Sequence, residues 1–400
     1  MSGPGTEFFR KRIFPVLTGA LLFYFGIVPL SPLFLTCPCG FIVLALTQIH
    51  CHHYMNSRIQ QLSGEYKAMF KCTGWVEQNG TRLSMADVEK IVREDPEKIR
   101  TFGGEFALSF DSCHARDHFG IMPGPGPKGS FICNGQVRFS IEPDPVPCTL
   151  DEAIEMAVRL RSDEGVVALS GGVDSSLVAA LAQRECVSVG LLGSHDLMHA
   201  RHAAGLLGLS CTEVEITEDD LRDALPAVIA AIPKKDPVNV SIALTQYFIA
   251  RWAGTHGYRR IITGQGADEL FGGYSRYLTS ASLEEDLARD VAGLELQAQR
   301  DQSVAALHGT YLSMPYLDIR VVRAARAIPA HKKVHDGMRK VPLREAAERH
   351  IPRELAGYGK KAMQYGSGVW GVLKKLARKN GYKTSVQDYI DHIGRVEHGH

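Results

Sequence analysis

Two glycine-rich stretches hold residues whose types and spacing suit phosphate chemistry. The first is VVALSGGVDSS, residues 166–176. An apolar run stops there at Ser-Gly-Gly, and a helix is expected to begin near Asp174. Gly171 and Gly172 let backbone N–H groups come close to an anion, and the helix N-terminus adds partial positive charge. Ser170, Ser175 and Ser176 supply hydroxyl donors. Asp174 would repel a bare phosphate, so beside a polyphosphate it implies Mg²⁺. The stretch matches neither a Walker A loop nor GxGxxG. The second is TGQGADELFGGYSRY, residues 263–277. Asp268 and Glu269 set adjacent carboxylates among glycines, and Asp268 can share the metal with Asp174.

Both stretches need strand ends to hold them. From Thr149 onward, short apolar runs at 166–169, 187–192, 211–216 and 260–263 read as buried parallel strands. Helical patterns alternate with them. Thr149 with Glu152, and Thr217 with Asp220, have the spacing of capping boxes. This alternation predicts an α/β fold with a doubly wound parallel sheet and a ligand at the carboxyl ends of its strands. Beyond Gly273 the chain reads as mostly helical. Upstream lies a small α+β segment, with strands expected at 66–76 and 106–110. Between them a helix capped by Ser84 should run to Glu94. Prolines 143, 145 and 147 mark a linker. The divisions drawn are 1–54, 55–147 and 148–400.

Lys and Arg number 45 against 44 Asp and Glu in 400 residues, a formal net charge of +1. That balance argues against a nucleic-acid partner held by bulk charge. Hydrophobic residues make up 45%, which excludes disorder. Mean hydropathy is −0.08, which argues against a polytopic membrane protein but hides a local exception. No Asp, Glu, Lys or Arg occurs from Ile13 to Ile49, and Arg10, Lys11 and Arg12 precede that run. Two readings stay open: a membrane hairpin that tethers a cytoplasmic enzyme, or upstream sequence before a true start at Met55. The cysteines, at 37, 39, 51, 72, 113, 133, 148, 186 and 211, read as reduced thiols rather than a disulfide framework.

The first stretch resembles the phosphate loop of the PP-loop ATP pyrophosphatases, and the second resembles the signature of the asparagine synthetases. DPVNVSIALTQYFIAR (236–251), MPYLDIRVV (314–322), LREAAERHIP (343–352) and KKAMQYGSGV (360–369) look like the same family. The resemblance implies a ligase that adenylates the side-chain carboxylate of aspartate with ATP and then transfers ammonia, giving asparagine, AMP and pyrophosphate. It implies that backbone near Leu169, Val189, Thr263 and Gly264 holds adenosine. Ser170 to Ser176 would hold pyrophosphate, and Asp174 and Asp268 would hold Mg²⁺. The family's lysine, which steadies charge developing on the phosphates, falls at Lys360 or Lys361, with Lys361 preferred.

Gln265 departs from that pattern, because many members carry glutamate there. A glutamine can position ammonia but cannot take a proton at neutral pH. Either another group serves as base, with Glu269 nearby, or the nucleophile arrives neutral. GGEFALSFD (103–111) and ARDHFGIMPG (115–124) resemble late strands of the family's glutaminase domain. The family's N-terminal nucleophilic cysteine has no counterpart here. The expectation is therefore a truncated glutaminase remnant, with ammonia taken free or from a separate glutaminase subunit. Two alternatives remain. One is a relative acting on another carboxylate, such as a β-lactam former with a Tyr–Glu base. The other is a non-catalytic, membrane-tethered homologue.

Overall fold

Two sheets of opposite construction dominate the computed structural model, which describes residues 69–359 and 363–397. The chain divides into units 1–67 and 68–400, and the described residues lie in the second. The apolar run 13–49 and the alternative start Met55 fall outside them. Among the described residues no helix is long and apolar enough to cross a membrane.

The first sheet is antiparallel and six-stranded. Its strands are β1 (Lys71–Gln78), β2 (Thr81–Arg82), β3 (Gly103–Phe110), β4 (Cys113–Arg116), β5 (Ser130–Cys133) and β6 (Gln136–Ser140), in the order β2-β1-β3-β4-β5-β6. Between β2 and β3 runs α1 (Met85–Glu94), whose first turn is closed by the Ser84 hydroxyl accepting from the Asp87 N–H at 3.1 Å. Val88 and Val92 on α1 pack with Phe102, Phe106, Leu108, Phe131 and Phe139 to give this sheet its own apolar core. One expectation is corrected here. Cys113 and Cys133 stand opposite each other on β4 and β5, Cα atoms 4.1 Å apart, and are joined as a disulfide. Strand register brings them together, which a separation of 20 residues does not show.

Downstream, α2 (Leu150–Arg159) and α5 (Glu218–Ala231) each begin with the reciprocal capping box expected from Thr149–Glu152 and Thr217–Asp220. The second sheet is parallel, with strands β7 (Val166–Ala168), β8 (Cys186–Leu191), β9 (Cys211–Ile216), β10 (Arg260–Ile262) and β11 (Tyr311–Ser313). Their order is β11-β10-β7-β8-β9. Helices α3 (Val173–Ala182), α4 (His195–Leu207), α5 and α6 (Pro237–Thr255) supply the crossovers. This is the expected doubly wound α/β fold. β11 was not expected in a region read as helical. It is three residues long, too short to show a period, and becomes a strand only by pairing with Arg260–Ile262. After β10 come α7 (Ala267–Phe271), α8 (Leu283–Ala292), α9 (Leu294–Ala306), α10 (Ile319–Ala327), α11 (Ala330–Lys333) and α12 (Val341–Ala347).

Buried charges join the two sheets. Glu105 on β3 is fully buried and accepts from Trp75 Nε1 at 3.0 Å, Arg161 Nε at 2.8 Å, Met314 N at 2.7 Å, and the Ser313 hydroxyl. Arg161 also donates to Asp318 at 3.0 Å. Asp318 accepts from Arg320 at 2.9 Å, and Arg320 reaches Glu77 on β1 at 2.6 Å. Burial opposes Glu105's charge, but Arg161 and the bonds from Ser313 and Met314 outweigh it and hold its pKa below the ordinary glutamate value. A depressed carboxylate pKa stabilises the fold at neutral pH, and that stability is lost as pH falls through the folded-state value. Removing one partner of such a pair strands the other charge in the interior. We expect Arg161→Leu to lower unfolding free energy by about 3–5 kcal/mol in a urea titration, whereas Arg222→Ala on the surface should leave the urea midpoint essentially unchanged.

Candidate active site

β7 and β10 lie side by side, with Ile261 beside Val166 and Ile262 beside Val167. The chain leaves β7 toward β8 and leaves β10 toward β11, on opposite sides. This is the topological switch point, where an open parallel sheet leaves a crevice above its carboxyl edge. Both glycine-rich stretches are the loops that leave these two strands. In the first, Gly171 has φ of 76°, and a Cβ there would come 2.5 Å from the His199 carbonyl on α4. Gly172 is the N-cap of α3. The Ser170 N–H donates to the Ser175 hydroxyl at 3.1 Å, and Ser176 is fully buried, its hydroxyl without a hydrogen-bond partner among the described residues.

Two adjoining cavities open on these loops. The inner one, about 150 Å³, is lined by Leu169, Ser170, Ser175, Val189, Thr263, Gly264, Gln265, Asp268 and Glu269. The structure thus brings most of the expected residues to one space. The outer one, about 480 Å³, is lined by Asp174 and Asp268 together with Arg276, Arg339, Lys340 and Arg344. Asp268 and Tyr274 line both. Lys360 and Lys361, the expected catalytic lysines, lie outside the described residues.

Lys340 stands between the expected metal carboxylates. Its ammonium lies 2.7 Å from both oxygens of Asp174 and 2.6 Å from Asp268 Oδ1. Burial opposes its charge, but Asp174 and Asp268 outweigh burial and raise its pKa above that of an ordinary lysine. Gly273 makes the room, since a Cβ there would fall 2.2 Å from Lys340 Cε and would overlap Asp268. Lys340 itself has φ of 58° and ψ of 33°, a left-handed conformation costing a non-glycine residue about 1–2 kcal/mol. The two carboxylates therefore converge on one cation-sized position of hard oxygen donors, a donor set that fits Mg²⁺.

On the other wall Glu269 is buried and accepts from Gln297 Nε2 at 2.9 Å and from the Tyr274 hydroxyl. Burial, then the neighbouring Asp268, push its pKa above the ordinary glutamate value, and the two hydrogen bonds offset this only in part. Burial and Glu269 likewise push the Tyr274 hydroxyl up. Gln265 donates through Nε2 to Asp301 Oδ2 at 2.6 Å. Asp301 is also held by Arg300 at 2.7 and 2.9 Å, and Arg300 donates to Asn239 at 2.9 Å. Gln246 points into the same cavity, 1% exposed, with its Oε1 lacking a partner among the described residues.

Sequence reasoning missed Lys340, Gln297, Gln246 and the Arg300–Asp301 pair, and nothing in the sequence marked Tyr274 over Tyr277 as the partner of a glutamate. Asp301 had a signal. It lies seven residues after Leu294 and three after Ala298, on the apolar face of α9, where an unpaired charge would be costly. Lys340 had none, because only the folded chain brings α12 beside α3. Lys340→Met should lower the melting free energy by about 3 kcal/mol without added metal. Millimolar Mg²⁺ should then raise the melting temperature of the variant more than that of the parent, because the ion takes the vacated position.

The asparagine synthase family model matches residues 149–304 and 294–392. A protein of Methanocaldococcus jannaschii named as a glutamine-hydrolysing asparagine synthetase is 30% identical over 293 residues, covering 62% of this chain and 54% of that protein. The carboxyethyl-arginine β-lactam synthase of Streptomyces clavuligerus is 31% identical over 237 residues, covering 57% of this chain and 46% of that protein. A solved ammonia-dependent NAD synthetase of Campylobacter jejuni aligns over 60% of this chain and 97% of its own, at 16% identity and a TM-score of 0.26. The chain spans about half the length of the curated relatives it matches. With more than half of its residues inside the family model, this chain belongs to the asparagine synthase family.

Proposed function

We propose that this chain is an ATP-dependent, amide-forming ligase that makes asparagine from aspartate and ammonia. The observation that carries this reading is the pair of loops at the β7/β10 switch point, whose carboxylates Asp174 and Asp268 converge on one cation position beside a cavity. The side-chain carboxylate of aspartate attacks the α-phosphorus of ATP. The α–β phosphoanhydride bond breaks and pyrophosphate leaves. Ammonia then attacks the acyl carbon, the bond to AMP breaks, and the nitrogen gives up a proton. We assign adenosine to the backbone near Leu169, Val189, Thr263 and Gly264, which line the inner cavity, and the phosphates to Ser170 to Ser176. Asp174 and Asp268 would hold Mg²⁺, which when bound neutralises polyphosphate charge. Lys340, once it leaves the two carboxylates, can turn to the phosphate oxygens together with Arg339 and Arg344. Lys361 is the lysine we assign to the same charge, by motif alone.

Glu269 is our choice of base. A buried carboxylate with a raised pKa takes a proton more readily than an exposed one. Gln265 cannot take that proton, and we assign it to orienting the nucleophile while it stays bonded to Asp301. We further propose that the ammonia is free ammonium or comes from another subunit. In support, Cys72 of the antiparallel sheet is half-buried and burial pushes its thiol up to about 12, the reverse of an activated nucleophile.

A second reading has one observation in its favour. The Tyr274–Glu269 contact is a Tyr–Glu pair of the kind that suits a β-lactam-forming relative, in which the attacking amine is part of the substrate.

Pyrophosphate release measured with ATP, Mg²⁺ and aspartate, with and without ammonium, tests the assignment. Release that needs aspartate, and that continues beyond one equivalent per enzyme only with ammonium, supports it. Release with another acid and no ammonium favours the second reading, and no release with any acid points to a non-catalytic homologue. Asp174→Ala should abolish release. Glu269→Gln should lower kcat by about 10²–10⁴-fold. Because the base must be deprotonated, the wild-type rate should fall as pH drops through a value above the ordinary glutamate range. Tyr274→Phe removes a bond that lowers Glu269's pKa, so it should move that acid limb to higher pH. Gln265→Glu should reduce the rate rather than raise it, since it would set a second carboxylate at the 2.6 Å contact with Asp301.

A further inference from the structure

The opening of α4 carries a cluster that the proposed reaction does not use. His195 and His199 are one helical turn apart, which places both imidazoles on one face. Their ring centroids are 4.1 Å apart. Both Nε2 atoms point at one oxygen, the Tyr358 hydroxyl, at 2.8 Å from His195 and 2.6 Å from His199. The Tyr358 ring lies against the His199 ring, with centroids 4.3 Å apart. Behind His195, its Nδ1 sits 3.5 Å from Asp196 Oδ1. A carboxylate behind the far nitrogen of an imidazole is the arrangement that orients histidines bound to metals.

We propose that His195, His199 and Tyr358 form a binding site for a borderline transition-metal ion such as Zn²⁺ or Co²⁺. Hydrogen bonding satisfies the convergence in one arrangement of protons. A phenol has one proton, so it donates to one Nε2 and accepts from the other only if the two imidazoles adopt opposite tautomers. A metal ion asks for two neutral imidazoles presenting lone pairs to one point, about 2.0–2.1 Å from each. Two imidazole nitrogens and a phenol oxygen select zinc, cobalt, nickel or copper over Mg²⁺ or Ca²⁺. All three residues are partly exposed, and Tyr358 lines the outer cavity, which gives an ion a path in. Burial pushes the Tyr358 hydroxyl up, so the imidazoles carry most of the affinity and the phenol contributes less.

The site sits where it would be felt. Gly171 of the phosphate loop packs on the His199 backbone, and Asp196 lines the inner cavity. A second cluster, Asp151, Glu155 and His350, is a weaker candidate. His350 Nε2 is already 2.8 Å from Asp151 Oδ1, and the Arg349 guanidinium occupies Asp151 Oδ2 at 2.9 Å. A cation is thus supplied there by the protein.

The test is titration of the full-length, metal-free protein with Co²⁺, read by visible absorption, and with Zn²⁺, read by calorimetry. The expected result is a micromolar Co²⁺ site with the intense visible bands of low coordination and no sulfur-to-metal charge transfer. His195→Gln together with His199→Gln should weaken it by more than about 100-fold, and Tyr358→Phe by less than either histidine substitution alone. His350→Gln should leave it unchanged. Should the double variant lose its fold by circular dichroism, the single variants and Tyr358→Phe carry the comparison. The proposal is overturned if the parent protein binds no Co²⁺ below millimolar concentration. It is equally overturned if the histidine variants bind like the parent, if His350→Gln removes the binding, or if thiolate charge transfer shows the ion on cysteines such as Cys37, Cys39 and Cys51.

Discussion

β7 and β10 are paired, and the chain leaves them in opposite directions. Of the neighbouring pairs in the five-stranded sheet, this is the one at which the direction of winding reverses. Helices that follow the two strands cannot close over the shared edge, so a crevice is left above it. The two glycine-rich loops face each other across that crevice because each is simply the continuation of its strand. Asp174 on one and Asp268 on the other then point to the same place. The cavities and the basic wall beyond follow from that divergence.

Buried charge does the fine positioning. One chain of ion pairs runs from Glu105 through Arg161, Asp318 and Arg320 to Glu77 and locks the antiparallel sheet onto the parallel one. A second sets Lys340 between Asp174 and Asp268, and a third runs from Gln265 through Asp301 to Arg300. Each group would be costly alone in a dry interior, so each is tolerated only where its partners hold it. The same rule explains the left-handed backbone at Lys340. The ammonium's position is overdetermined by two carboxylates, and the backbone accommodates it. Charge networks of this kind add little net stability, because the cost of burying the charges offsets most of their attraction.

Much of this was legible in the linear chain. Both loops, the capping boxes at Thr149 and Thr217, helix α4 and strand β9 follow from local pattern, because caps and apolar periodicity act over a few residues. Leu169, Val189, Thr263 and Gly264 were identified through motif position and line one cavity in the structure. Other features could not be read that way. β11 is a strand only through its partner β10. The Cys113–Cys133 pair depends on the register of β4 and β5, and its absence from the sequence reading follows from that. Tyr274 lay inside the second motif, yet nothing local tied its hydroxyl to Glu269. Asp301 and Gln297 reach the site from α9, well downstream of the loop they support.

The amino-acid sequence alone determined where the two glycine-rich loops and their carboxylates fall in the chain, and that they sit at the ends of parallel strands. Those properties depend on local chemistry: glycines that admit close backbone approach, carboxylates beside them, and apolar runs that must be buried. The tertiary structure alone decided what those carboxylates hold when no ligand is bound, which group stands at the end of Gln265, and which histidines meet at Tyr358. These outcomes depend on the distance between segments far apart in the chain. That distance is set by how the two sheets and the helices over them pack, and no spacing along the sequence encodes it.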